Sequence, residues 1–245
     1  MRLSLNFKNI LAFLALLFVC HELHELAHTA VAYMQCGCWG ERDFNVWQIC
    51  RACSPSVNTI WATLAGPLLT YSFIWIGFIL LGSQNRLQWH YALGWALLFA
   101  NKPFARIFTV AMRGGDESVI IRALTEQSIL STGAWMAEVA IVLILTIPVL
   151  IRAWRLLQPE KRALIFTAFL LGPMLIEFAL MHKLGNLLLA RGFLAEEGIL
   201  GSPVLVNIWN GFWLIMLLFT FRYLTTILIH PKEKEVVPKE ILAPI

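Results

Sequence analysis

The chain has 245 residues, of which 59% are hydrophobic and 14% are charged, and its formal net charge is +4. This composition excludes an ordinary soluble domain and predicts an all-α integral membrane protein, because the apolar residues form runs long enough for membrane helices. Lys and Arg are scattered between the apolar runs. We therefore expect the lipid bilayer as a partner and no nucleic acid.

Six apolar runs are each long enough to cross a bilayer as a helix. The predicted spans are Asn9 to Met34, Thr59 to Leu81, Trp89 to Met112, Ala134 to Trp154, Arg162 to His182 and Val204 to Ile229. They predict a bundle of about six transmembrane helices in one membrane-embedded domain that covers residues 1–245. Within it we expect a metal-binding core at 9–130, accessory helices at 134–229 and a charged C-terminal tail at 230–245.

The first predicted span contains the motif H-E-L-A-H, formed by His24, Glu25 and His28. Ionisable side chains inside a membrane span cost about 2.5 to 3.5 kcal/mol each on insertion scales, so this cluster indicates a function. His24 and His28 lie one helical turn apart and can bind one ion. Glu25 flanks them and can take a proton from a water at that ion. We predict one catalytic Zn²⁺, Glu25 as general base, and a third ligand from elsewhere in the chain.

A second motif, A-G-P at positions 65–67, stands at the start of the second span. H-E-L-A-H followed by this motif resembles the site-2 protease family of intramembrane zinc metalloproteases. In that family a third helix carries an Asn, one or more Pro and then an Asp followed by Gly, and this Asp completes the zinc site. The similar stretches here are F-A-N-K-P-F at 99–104 and R-G-G-D-E at 113–117.

The resemblance implies that Asp116 is the third zinc ligand and that Asn101 binds the substrate backbone. The chain departs from the family pattern in three ways: the spacing from Asn101 to Asp116 is longer than in the family's compact motif, both glycines precede Asp116, and Thr70 occupies a position where Asn is common. Three other acidic or imidazole side chains of the later spans remain alternative third ligands because isolated ionisable groups are costly there. They are Glu138, Glu177 and His182.

Four cysteines crowd the loop after the first span. They are Cys36, Cys38, Cys50 and Cys53. The count of Lys and Arg favours a cytoplasmic N-terminus, which places this loop outside and predicts two disulfides. A cytoplasmic loop would instead favour a structural Zn²⁺ held by four thiolates.

The resemblance implies a zinc metalloprotease, a hydrolase that cuts a peptide bond of a membrane protein or peptide substrate at bilayer depth, in the bacterial inner membrane. Lys102 and Arg106 near the third span could line a wet entrance or stabilise an oxyanion, or they could extend to the interface. The alternative function is a non-enzymatic metal carrier or sensor that uses the His cluster and the cysteine loop. It needs no Glu25.

Overall fold

The structure, a computed structural model, describes residues 1–82, 87–126, 128 and 131–229. The predicted tail at 230–245 lies outside these residues. The described helices, in chain order, are α1 (Phe7–Cys36), α2 (Ile60–Leu80), α3 (Gln88–Ala100), α4 (Pro103–Ala111), α5 (Gly115–Thr125), α6 (Thr132–Leu156), α7 (Arg162–Glu177), α8 (Asn186–Ala190) and α9 (Val204–Leu224). A short strand β1 (Arg2–Leu3) pairs antiparallel with β2 (Leu228–Ile229).

Five helical stretches among the described residues are long and apolar enough to cross a membrane. They are Phe7–Cys36, Ile60–Leu80, Thr132–Leu156, Pro159–Ala190 and Val204–Leu224. The fourth of these is one helical run that includes α7, a π-helical segment at Phe178–Gly185 and α8. The chain is therefore an all-α membrane protein.

The third of the six predicted spans, Trp89 to Met112, is not a single helix. Proline has no N–H to donate and disfavours helical backbone in the residue before it. Accordingly α3 ends at Ala100, Lys102 has a left-handed backbone with φ of 49°, and α4 begins at Pro103. With 13 and 9 residues, α3 and α4 are each too short to cross a hydrocarbon core about 30 Å thick at 1.5 Å per residue.

Helix α1 lies at the centre of the bundle, where it packs against α2 on one side and α9 on another. Its most apolar window is 56% buried, compared with at most 33% for the other four candidate spans. Small side chains such as Ala12, Ala15 and Cys20 allow neighbouring helices to approach it. The histidines of α1 therefore lie inside the bundle and away from its lipid-facing surface.

The loop after α1 folds back over the bundle as a hairpin, defined here as residues 41–48. Arg42 and Trp47 pair across it in an antiparallel bridge, and Phe44 at its tip is 3% exposed among Phe18 and other core residues. Two disulfides, Cys36–Cys53 and Cys38–Cys50, join the segments that flank the hairpin. Of the two arrangements left open by the sequence, the structure contains the disulfides.

Candidate metal centre

Three of the predicted ligands converge on one point. The Nε2 atoms of His24 and His28 are 3.1 Å apart, and the Asp116 Oδ2 atom lies 3.2 Å from the first and 3.5 Å from the second. Both histidines are buried, and the Asp116 side chain is 23% exposed. Among the described residues, this is the group of His, Cys, Asp and Glu side chains that could hold a metal ion.

Helix α2 orients both imidazole rings. His28 Nδ1 lies 2.7 Å from the Ala62 carbonyl oxygen, and His24 Nδ1 lies 2.9 Å from the Thr70 hydroxyl oxygen. Because a carbonyl oxygen only accepts, Nδ1 of His28 carries the proton and Nε2 keeps its lone pair. Such outer contacts fix the tautomer and the ring orientation of a ligating histidine. Thr70 makes this contact at the position where the family commonly has Asn.

Gly66 allows α2 to approach the two histidines. A Cβ atom at this position would lie 2.2 Å from His28 Nε2 and 2.7 Å from His24 Cε1, both far inside contact distance. Trp47 of the hairpin covers the other side of His28, with its ring stacked at 5.0 Å between centroids. The His28 ring is therefore confined by α2 and by the hairpin.

Asp116 reaches the histidines from the first turn of α5. Gly115 just before it has φ of +86°, a conformation that glycine adopts readily and that starts the helix directly after the turn. Burial alone would raise the pKa of the Asp116 carboxyl group. The adjacent His24 and His28 rings and the Arg106 guanidinium group outweigh burial and hold that pKa well below its ordinary range.

Glu25 lines a cavity of about 270 Å³ beside the three ligands, and several other ionisable side chains line it as well. The residue is 7% exposed, and none of the described residues forms a hydrogen bond or ion pair with its carboxylate. His24, Arg106 and Asp116 line the same cavity. The Glu25 carboxylate is thus available to a molecule that enters beside the ligand group.

The neighbouring residues of the H-E-L-A-H motif contact other parts of the protein. His21 Nε2 donates to the Phe44 carbonyl oxygen at 2.6 Å. Glu22 accepts hydrogen bonds from Arg42 and Asn210, at 2.5 Å each. Both residues hold the hairpin against the bundle and lie outside the ligand group.

The alternative third ligands do not join the group. The Glu177 carboxylate forms an ion pair with Lys102 and lies 3.3 Å from His21 Nδ1, so its charge is already compensated. His182 lines the cavity but is not part of the ligand group, and Glu138 lies in α6 beside a separate crevice. Of the four candidates, the structure brings Asp116 to the histidines.

Asn101 lies at the C-terminal end of α3, where it is 3% exposed. Its side-chain amide donates to the Leu97 carbonyl oxygen at 2.7 Å and to the sulfur of Cys20 at 3.7 Å. These contacts direct the amide into the packed interior and away from the residues that line the cavity. Its role in binding the substrate backbone stays a prediction.

Sequence reasoning missed several residues of the site. The Ala62 carbonyl group belongs to the backbone, so no residue type in the sequence marks it as a partner of His28. Trp47 lies in a loop, and its contact with His28 depends on how that loop packs against the bundle. Glu117 was also missed, although its place beside Asp116 in the R-G-G-D-E stretch offered a signal. Its carboxylate lies 3.7 Å from Arg106 and accepts a hydrogen bond from the Tyr71 hydroxyl group at 3.0 Å.

Fold and site together define an all-α membrane protein with a group of two histidines and one aspartate that could hold a metal ion. The chain matches no family model, no curated protein and no solved structure. Its resemblance to the site-2 protease family rests on the sequence motifs alone.

Proposed function

We propose that the chain is a zinc-dependent intramembrane endopeptidase of the bacterial inner membrane, of the site-2 protease type. The observation that carries the proposal is the triangle formed by His24 Nε2, His28 Nε2 and Asp116 Oδ2 in the centre of a helical bundle. Its edges are 3.1, 3.2 and 3.5 Å long. Ligands about 2.0 to 2.1 Å from a tetrahedral Zn²⁺ lie about 3.3 to 3.4 Å from one another.

The donor set also suits zinc. Two neutral imidazoles and one carboxylate match the catalytic zinc sites that keep an open fourth position. A lone pair of His28 and the anionic Asp116 oxygen point at the same place, which is unfavourable unless a cation is shared between them. Zinc bound there would supply a position for a water molecule and lower the pKa of that water to about 7.

Glu25 is the general base in this proposal. Its carboxylate borders the cavity beside the ligand group, where it takes the proton from the attacking water. It then returns the proton to the amine nitrogen as the peptide bond breaks. Positioned acid-base groups of this kind contribute about 10² to 10⁴ in rate.

The peptide substrate is inferred from the resemblance. A membrane-spanning substrate must lose helical structure at the cleaved bond, because a helical backbone hides its carbonyl groups in internal hydrogen bonds. The ionisable and amide side chains that line the cavity are groups with which such an unwound segment can form hydrogen bonds. We therefore expect substrates whose spans contain helix-breaking residues.

The carrier or sensor hypothesis has less support. It uses the cysteine loop to collect ions, and the thiols of that loop are consumed in two disulfides in this structure. It also assigns no role to Glu25, which lies beside the ligands with a free carboxylate. Substitution of Glu25 therefore distinguishes the protease hypothesis from the carrier or sensor hypothesis.

The test uses detergent-purified full-length protein and three variants. Zinc per chain is measured by mass spectrometry in the parent protein, in Glu25→Gln, in His28→Ala and in the exposed control Glu160→Gln. The same samples are incubated with tagged single-span proteins whose spans are interrupted by Asn-Gly or Gly-Pro. We expect one zinc in all but His28→Ala, and cleavage by the parent protein and the control alone.

Three results would contradict the proposal. If the folded parent protein does not bind one zinc per chain, the proposed metal site is wrong. If cleavage survives in Glu25→Gln, the activity comes from a contaminating protease. If the parent protein binds zinc, cleaves none of the probes and moves zinc across liposome membranes equally well with Glu25→Gln, the carrier function is the correct one.

A further inference from the structure

Arg106 is placed where a reacting carbonyl group would develop negative charge. One guanidinium nitrogen lies 3.0 Å from His24 Nδ1 and 3.2 Å from His24 Nε2, and the other lies 3.4 Å from Asp116 Oδ2. The guanidinium group thus follows the edge of the ligand triangle between His24 and Asp116. Its side chain is 16% exposed, and the residue lines the same cavity as Glu25.

A second layer of residues holds Arg106 in this place. Its guanidinium group lies 3.7 Å from Glu117 Oε1, and the Tyr71 hydroxyl group donates to that same oxygen at 3.0 Å. The Glu117 side chain is only 9% exposed. Helices α2, α4 and α5 therefore each contribute one member of the row Tyr71, Glu117 and Arg106.

The positive charge of a bound metal ion explains why Arg106 requires Glu117 as a counter-ion. An arginine beside a divalent cation is repelled, and the repulsion is strong where water is excluded. With Asp116 as a ligand, its charge would be shared with the ion, and Glu117 would remain as the counter-ion of Arg106. The two charges of Zn²⁺ and the one of Arg106 would then be matched by the carboxylates of Glu25, Asp116 and Glu117.

We propose that Arg106 is a catalytic residue that binds the carbonyl oxygen of the scissile peptide bond, and that Glu117 and Tyr71 are its positioning residues. This inference rests on the proposed function. As the water oxygen bonds to the carbonyl carbon, the π electrons move to the carbonyl oxygen, which accepts an N–H from Arg106. When the oxyanion collapses, the C–N bond breaks and the amine nitrogen takes the proton held by Glu25.

Lys102 is the other cation of the cavity, and its surroundings do not suit this role. Its ammonium group forms an ion pair with Glu177 and lies 3.4 Å from His21 Nδ1, away from the ligand triangle. Its charge is therefore neutralised by a carboxylate that ligates nothing. Arg106, by contrast, contacts His24 and Asp116, two of the three proposed metal ligands.

The experiment compares Arg106→Gln, Arg106→Lys, Glu117→Gln and Tyr71→Phe in full-length protein. The matched control is Arg122→Gln, since the Arg122 guanidinium group of α5 bonds the Ser118 carbonyl oxygen outside the site. Zinc content, kcat, KM and the Kd of a peptide phosphinate are measured for each. The phosphinate carries two oxygens that mimic the hydrated carbonyl group, so its binding reports on Arg106 without turnover.

For Arg106→Gln we expect full zinc content, a kcat lower by about 10² to 10³, and a similar loss of phosphinate affinity, as for removal of one oxyanion donor. Arg106→Lys should restore part of both losses because it keeps the charge. Glu117→Gln and Tyr71→Phe should lower kcat by roughly tenfold with little change in KM, since such outer partners orient the group that reacts. Arg122→Gln should match the parent protein.

Two results would overturn the inference. Phosphinate affinity within about threefold of the parent value in zinc-loaded Arg106→Gln means that Arg106 does not contact the oxyanion. Loss of zinc in this variant means that Arg106 supports the metal group instead. If the parent protein hydrolyses no peptide, the proposed function fails, and the phosphinate affinities of Arg106→Gln and Arg122→Gln still decide whether Arg106 binds an oxyanion beside the metal.

Discussion

Replacing Gly66 with alanine adds a single methyl group at the point where α2 meets the metal group. The new carbon atom would lie 2.2 Å from His28 Nε2 and 2.5 Å from His28 Cε1. Since ordinary contact begins at about 3.4 Å, the imidazole or the helix has to move by about 1.2 Å. Metal-ligand distances tolerate about 0.2 Å, so this displacement is several times too large for the site to keep its ion.

The His28 ring has little freedom to move aside. Its Nδ1 atom is held by the Ala62 carbonyl oxygen and its face by Trp47. Moving the ring gives up a buried hydrogen bond, and moving α2 disturbs its packing, for which overpacking costs of about 1 to 3 kcal/mol are typical. We therefore expect Gly66→Ala to fold with reduced stability and to bind zinc at least 100-fold more weakly.

The assay is zinc affinity, measured by competition with a chromophoric chelator, together with a thermal unfolding curve. The control is Gly211→Ala in α9, where an added Cβ atom meets nothing within 4 Å. This control should bind zinc normally and be as stable as the parent protein or more so, because alanine favours helix by up to about 1 kcal/mol. If Gly66→Ala binds zinc with normal affinity, the zinc site does not lie where α2 contacts His24 and His28.

Three further predictions concern the surroundings of the site. Thr70→Val, which removes the hydroxyl group that contacts His24, should weaken zinc binding by about 10- to 100-fold while Thr70→Ser keeps it, as measured by chelator competition. Cys36→Ser with Cys53→Ser should lower the unfolding free energy by about 3 kcal/mol in denaturant titrations, and peptide mapping without reductant should recover the Cys36–Cys53 linkage; free thiols at Cys36 and Cys53 in the parent protein would contradict it. Lys102→Met should destabilise the protein by roughly 3 to 5 kcal/mol because the buried Glu177 carboxylate loses its lysine partner and keeps only its contact with His21, and adding Glu177→Leu should recover most of that loss in the same titration.

The residues of the site that lie close together in the sequence could be predicted from it. His24 and His28 share a helix, and their spacing of four residues sets their proximity before any tertiary contact forms. Glu25 follows from the same motif, and the cost of charge inside an apolar span marks the cluster as functional. Asp116 came from the resemblance to a family motif, and the structure brings it to the two histidines.

The remaining parts depend on contacts between segments far apart in the chain. The Ala62 carbonyl group, the Cβ-free surface of Gly66 and the ring of Trp47 meet His28 only because α2 and the hairpin pack against α1. The break before α4 had a visible signal in Pro103. The sequence also marked Arg106 as a residue that could line a wet entrance or stabilise an oxyanion, but its contact with His24 depends on how α4 lies relative to α1.

Composition and periodicity by themselves determined the membrane class and the pair of histidines, because hydropathy and helical spacing act over a few neighbouring residues. Tertiary structure decided the pairing of the four cysteines, the partners that orient each imidazole, and the placement of Arg106 against Glu117 and Asp116. These features depend on how whole helices approach one another. That approach is set by the packing of many side chains at once, which no short stretch of sequence encodes.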